Sequence, residues 1–193
     1  MFADTPLESL PEGFNLVHLT NLIRCSLIFS GTNIRSLPND FALPDSVVYC
    51  VGMFYRCRNL ETIPDSFILG DNVEDCSSLF DQCNSLSYIP SNFRIPPKVK
   101  TIDSMFESVK YVKLNNLIIP EGVTNIFEAF RNVRTIEGSI TIQGNPTEYT
   151  RAFQNTAQNA TQNFVVNYTS NCTNIEGIKE TVENGKVQFN LVQ

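Results

Sequence analysis

Residues 53–64, MFYRCRNLETIP, return at 79–90 as LFDQCNSLSYIP, 26 positions further along. A third copy, MFESVKYVKL, begins at Met105, and the chain opens on MFADTPLESLP, the same template short of one residue. A Leu/Ile-Pro pair recurs at Leu10-Pro11, Leu37-Pro38, Ile63-Pro64 and Ile89-Pro90, with spacings of 27, 26 and 26. Phe14, Phe41, Phe67 and Phe93 each stand three residues after one of these prolines. A second apolar piece and a turn follow, as FALPDSV, FILGDNV, FRIPPKV and LIIPEGV. From Val47, Val73, Val99 and Val123 the chain then reads V-x-x-[C/I]-x-x-[M/L/A]-F, placing Phe54, Phe80, Phe106 and Phe130, with Phe153 supplied by TEYTRAF. Fixed apolar positions at a period of about 20–50 residues are the mark of a solenoid. Each unit is too small to bury its own apolar face, so stability comes from stacking unit on unit.

The unit divides in two. V-x-x-C-x-x-M-F-x-x-C places apolar residues on one face of a short helix. L-x-x-I-P and F-x-[I/L] are brief, extended and closed by Pro or Gly, which predicts short strands. Each proline then falls at a strand end, where its missing N–H removes least from a ladder. Cysteine takes its meaning from this register. Cys50 and Cys76 share a position with Ile102 and Ile126, and Cys57 and Cys83 share one with Val109. A position open to Cys, Ile or Val is a small buried apolar one, so the cysteines read as free thiols. A zinc site from Cys50, Cys57, Cys76 and Cys83 would lack the short ligand spacing that zinc ordinarily uses. Disulfides between stacked neighbours are allowed on distance, because adjacent strands lie about 4.8 Å apart.

With M-F-x-x-C-x-x-L and its V-x-x-[C/M]-x-x-M-F lead-in, the chain resembles the BspA-type leucine-rich repeats of bacterial surface proteins, mycoplasma lipoproteins, protists and phages. The likeness runs from Met1 to about Phe153 and departs from the family in the LP and IP turns and after Phe106. The resemblance implies an α/β, leucine-rich-repeat-like solenoid, with the helix on the convex side and the L-x-x-I strand lining an exposed sheet. On this reading residues 1–153 form about six units, the first partial, and 154–193 form a C-terminal α/β capping unit. There NFVVNY and KVQFNLV alternate as strands do, and Thr173 is placed to cap a helix over NIEGIKETVEN that ends near Gly185. Met1-Phe2 stands where an internal unit would carry its M-F pair, leaving an N-terminal edge that a neighbouring chain could cover.

Composition narrows the function classes. Of 193 residues 42% are hydrophobic and 18% charged, too apolar for disorder. The net charge is −6 and the basic residues are scattered, so nucleic acid is not an expected partner. No apolar run approaches the ~18 residues of a membrane span. MFADTPLESL lacks the basic and apolar segments of a signal peptide, which favours a virion or cytoplasmic setting over autonomous secretion. The single histidine, His18, lies in FNLVHLTNL with no nucleophile motif, P-loop, dinucleotide fingerprint or HExxH around it. No catalytic residue, cofactor or metal ligand is therefore expected. Asp65, Asp71, Asp75, Asp81 and Glu121 read as turn and capping residues rather than a calcium loop. Asn159, Asn167 and Asn171 begin formal glycosylation sequons, which chance explains in so Asn-rich a segment.

What remains is surface. On each L-x-x-I segment the two intervening residues face outward: Glu8-Ser9, Arg35-Ser36, Glu61-Thr62 and Ser87-Tyr88. By a looser alignment Lys113 and then Arg134-Thr135 continue the row. Arg35, Glu61, Tyr88, Lys113 and Arg134 thus form a candidate binding face, with Arg and Tyr favoured as anchors. A second candidate patch is Tyr55, Arg56 and Arg58 beside Cys57, replaced in the next unit by Asp81, Gln82 and Asn84. The expected function is recognition of a protein or glycan on a phage virion or bacterial surface. Its alternative is an intracellular factor that binds a host protein.

Overall fold

Each V-x-x-[C/I]-x-x-[M/L/A]-F stretch is a run of tight turns that shares its hydrogen bonds with the next coil. The N–H groups of Cys50, Gly52, Phe54 and Arg56 donate to the carbonyls of Asp75, Ser77, Leu79 and Asp81 at 3.1, 2.8, 3.1 and 2.9 Å. The N–H groups between them close local turns, Met53 on Cys50, Tyr55 on Gly52 and Cys57 on Phe54. Residues four apart adopt positive φ to make this possible: Gly52 and Arg56, Ser78 and Gln82, Ser104 and Ser108, Glu128 and Asn132. These segments were expected to be helices, and they are not. Apolar residues at Cys50, Met53, Phe54 and Cys57 satisfy consecutive turns as well as they satisfy a helix. A helix would direct its N–H groups along its own axis, so none past its first turn could donate to the next coil. A helix of one or two turns is also too short to hold itself together.

The computed structural model describes residues 1–193 as a parallel β-solenoid with little helix. A column of single parallel bridges, Arg24–Tyr49–Asp75–Thr101–Asn125–Glu148, marks equivalent points on successive coils. The phenylalanines stack beside it. Phe2, Phe29, Phe54, Phe80, Phe106, Phe130 and Phe153 follow one another with ring centroids 5.4–5.8 Å apart. Phe14, Phe41 and Phe67 form a second column at 6.3 and 6.1 Å. The two columns meet edge to face, as in Phe54 on Phe67 at 5.6 Å, the arrangement that suits the ring quadrupole. Phe189 closes the first column edge-on against Phe153 at 5.9 Å. The 52 buried apolar side chains form one continuous cluster, so no unit has a core of its own.

The L-x-x-[I/L]-P segments are barely strands. Across them each coil is joined to the next by one N–H, Arg35 to Glu8, Glu61 to Arg35 and Ser87 to Glu61, with one bridge at Thr62–Tyr88. Proline is the cause: the carbonyls of Pro11, Pro38, Pro64 and Pro90 accept from Phe14, Phe41, Phe67 and Phe93 at 3.0 Å, so the chain turns at once. Extended sheet appears where proline is absent and β-branched residues gather. Strands β1 (Tyr111–Ile119), β2 (Thr135–Ile142), β3 (Phe164–Tyr168) and β4 (Val187–Leu191) pair in that order, all parallel. Between Leu114 and Leu117 the register shifts. Opposite this bulge Gly138 has φ +89°, and a Cβ there would lie 1.8 Å from the Leu114 carbonyl oxygen. Only glycine fits that approach.

The last segment continues this sheet, since β3 pairs with β2 and β4 with β3. Its one α-helix, α1 (Ile175–Glu180), buries Ile175 and Ile178. Thr173 does not cap it. Asn174 holds that position without a side-chain cap, and its Nδ2 donates to the Pro146 carbonyl at 2.9 Å. The helix ends at Thr181, well before Gly185.

Phe80 is fully buried between Phe54 and Phe106. We expect Phe80→Leu to fold with a loss of about 1–1.5 kcal/mol. Phe80→Asp should yield no cooperative unfolding transition, because an unpaired charge would sit in the column. Circular dichroism melts of the two variants check this.

Candidate functional site

Three surfaces meet around each coil. The first is the strand row, where Arg35, Glu61 and Tyr88 are all exposed. The main-chain N–H relay Glu8–Arg35–Glu61–Ser87 sets their order. Arg35 and Glu61 approach to 3.7 Å with side chains 68% and 57% exposed, a geometry that contributes little to stability. Tyr88 is 47% exposed. Lys113 is exposed on β1, but its register partner on β2 is Glu137, whereas Arg134 precedes β2 beside Lys110. Lys113 and Arg134 therefore belong to different columns, and the loose alignment that joined them is replaced by the β1–β2 register.

The second surface is the corner that leads from the turns into the strand row. Arg58, Asn84, Lys110 and Arg134 occupy it, each four residues after a column phenylalanine. The Thr135 N–H donates to the Lys110 carbonyl and the Asn159 N–H to that of Arg134. Arg58 and Arg134 came from two separate candidate patches and prove to be equivalent corner residues. Lys110 was missed, although counting four from Phe106 finds it. In the second candidate patch, the Arg56 guanidinium lies over the Tyr55 ring at 4.8 Å, with Arg56 exposed and Tyr55 half-buried. Within a net charge of −6, Arg58, Lys110 and Arg134 form no ion pair.

The third surface follows the phenylalanines by one residue: Tyr55, Asp81, Glu107, Arg131 and Gln154. Arg131 Nη1 donates to Glu107 at 2.9 Å and to Glu128 at 3.3 Å, and Arg151 donates to Glu128 at 2.9 Å. Asp75 behaves as the turn residue expected of it, its Oδ1 accepting the Ser77 N–H at 2.9 Å. Asp81 does not. Its side chain is buried, and Oδ1 has no hydrogen-bond partner. Burial first, and then the Glu107 charge, push its carboxyl up to about 7, against the opposing pull of Gln82 and Arg56. Burial also raises Glu107 and Asp103 above the usual carboxylate range.

The cysteines are all free and buried. Cys57 and Cys83 are more than apolar fillers. Their thiols donate to the carbonyls of Phe29 and Phe54 at 2.9 and 3.0 Å, and Thr156 makes the same bond to Phe130 at 2.7 Å. Burial pushes the Cys25 thiol up to about 12 and raises the other five. Exposed apolar side chains gather at the N-terminal edge, where Met1, Val17, Leu19, Ile23 and Leu27 are each at least 40% exposed. His18 is exposed there as well. No helix is long and apolar enough to cross a membrane. No family model, curated protein or solved structure matches the chain.

Two outcomes follow. Thiols this buried, with so little thiolate, should not react with Ellman's reagent in native buffer, while all six should titrate in guanidinium. The acid–base prediction follows from Asp81, which holds its proton in the folded state up to about pH 7 but loses it near 3.8 when unfolded. The folded state therefore binds more protons across that window, and stability falls as pH rises through it. Melting temperature should drop from pH 5 to pH 8, and Asp81→Asn should flatten the slope.

Proposed function

We propose that this chain is a non-catalytic recognition module that presents its strand row to a protein or glycan partner. The supporting observation is the row itself: Arg35, Glu61 and Tyr88 are exposed, regularly spaced and carried on coils fixed by a shared core. Solenoids build extended binding faces this way, and arginine and tyrosine are the residues that most often anchor interfaces. The resemblance to BspA-type leucine-rich repeats extends the reading to a leucine-rich-repeat-like unit repeated about six times, with residues 154–193 as the capping unit. That resemblance also supplies the setting, a phage virion or bacterial cell surface. The absence of catalytic motifs around His18 supports a role without chemistry.

A second reading, an intracellular factor that binds a host protein, is favoured by one observation. Six free, buried cysteines suit a reducing compartment, where disulfides are rare.

The double variant Arg35→Glu with Tyr88→Ala tests the face. Both side chains are exposed, so melting temperature should hold within the few tenths of a kcal/mol typical of surface changes. Partner binding should fall about thirtyfold, since loss of an anchor costs about 2 kcal/mol. Full-strength binding of the natural partner in a pull-down would move the site off this row.

A further inference from the structure

We infer that the corner column carries a second binding site, for a saccharide that bears an anionic group. It rests on the reading of the chain as a recognition module but names a different face. A cavity of about 610 Å³ opens at the corner, within the range of small-ligand sites of about 300–1,000 Å³. Lys110 and Arg134 line it, with Ser108 and Thr135 as hydroxyls and Asn84, Asn132 and Asn159 as amides. No apolar side chain and no carboxylate lines it. Such walls favour a ligand that hydrogen-bonds, and a cation would meet two positive charges.

Lys110 and Arg134 are exposed and have no carboxylate within ion-pair distance, so both are available to an anion. A guanidinium beside an ammonium favours carboxylate or sulfate through charge-assisted hydrogen bonds. A bare anion is only half the match. The same walls carry the Ser108 and Thr135 hydroxyls and the Asn84, Asn132 and Asn159 amides, which donate to and accept from hydroxyl groups. Hydroxyls beside an anionic group match such walls, and acidic sugars carry the two together. A second cavity of about 410 Å³ shares Thr135 and Asn159 with the first, adds Lys113 and Glu137, and has Ile136, Ala160 and Val165 on its walls. Joined in this way, the two form a cleft suited to an oligomer rather than a single ring.

Isothermal calorimetry at low salt tests this with a galacturonic-acid trisaccharide, a heparin-derived tetrasaccharide, maltotriose and inorganic sulfate. At least one acidic oligosaccharide should bind, and the preferred one tells carboxylate from sulfate. Maltotriose should not bind. Lys110→Gln and Arg134→Gln should each weaken binding about tenfold or more with unchanged melting temperature, the effect of losing one charge-assisted contact. Asn84→Ala should weaken it less. Arg35→Glu with Tyr88→Ala should bind the oligosaccharide as the natural chain does, so failure of the strand row and failure of the corner are separable. The inference is overturned if neither acidic oligosaccharide binds, or if the Lys110→Gln, Arg134→Gln pair binds undiminished. It is equally overturned if inorganic sulfate binds as tightly as the oligosaccharide, which would leave an anion site without a saccharide.

Discussion

Every second N–H along the turn segments leaves its own coil and donates to the next, and the rest of the molecule is arranged around that sharing. It fixes the distance between coils, which in turn brings equivalent side chains to within ring-stacking reach. The phenylalanine column is the first result, at 5.4–5.8 Å from Phe2 to Phe153. Burying a phenylalanine contributes about 1.5–3 kcal/mol, and aromatic contact adds about 0.5–1.5 kcal/mol more. A column of this kind makes each coil depend on both neighbours.

The same sharing governs charge. Whatever stands at one position faces the equivalent residue in the coil above and below, so like charges there would repel along a column much as they do across strands. The row after the phenylalanines shows the response: Tyr55, Asp81, Glu107, Arg131 and Gln154 vary in sign and size. Arg131 and Arg151 compensate Glu107 and Glu128. Asp81 makes no ion pair in that arrangement; burial first, and then the neighbouring Glu107 charge, keep its carboxyl protonated to an unusually high pH. The corner column has the opposite character, with Lys110 and Arg134 stacked as neighbouring cations and no acid between them.

Much of the solenoid was legible because its strongest signal is register. Phe54, Phe80 and Phe106 stack in a buried column, as their spacing alone suggests. The turns were illegible because Cys50, Met53, Phe54 and Cys57 give the same apolar pattern in a helix and in two turns. Of the left-handed residues in that region only Gly52 announces itself; Arg56, Gln82 and Ser108 do not. Strands β3 and β4 were legible in the alternation of NFVVNY and KVQFNLV, whereas the length of β1 and β2 was hidden where the repeat weakens after Phe106, since losing proline frees the chain to extend even as it blurs the template. Arg35, Glu61 and Tyr88 could be placed on the surface by counting. Asp81 could not, because whether a turn carboxylate is wet or buried depends on the coil stacked beyond it.

The unequal joining of the coils along the strand row gives the molecule a direction. Its N-terminal coils are held there by one main-chain hydrogen bond apiece, while β1 to β4 are zipped over seven, four and five register pairs in turn. In a nearest-neighbour array order can start in any unit and spread coil by coil, and the units joined least are the first to open. Tension applied at Met1 would therefore unwind the proline-bearing coils one by one and leave the sheet for last.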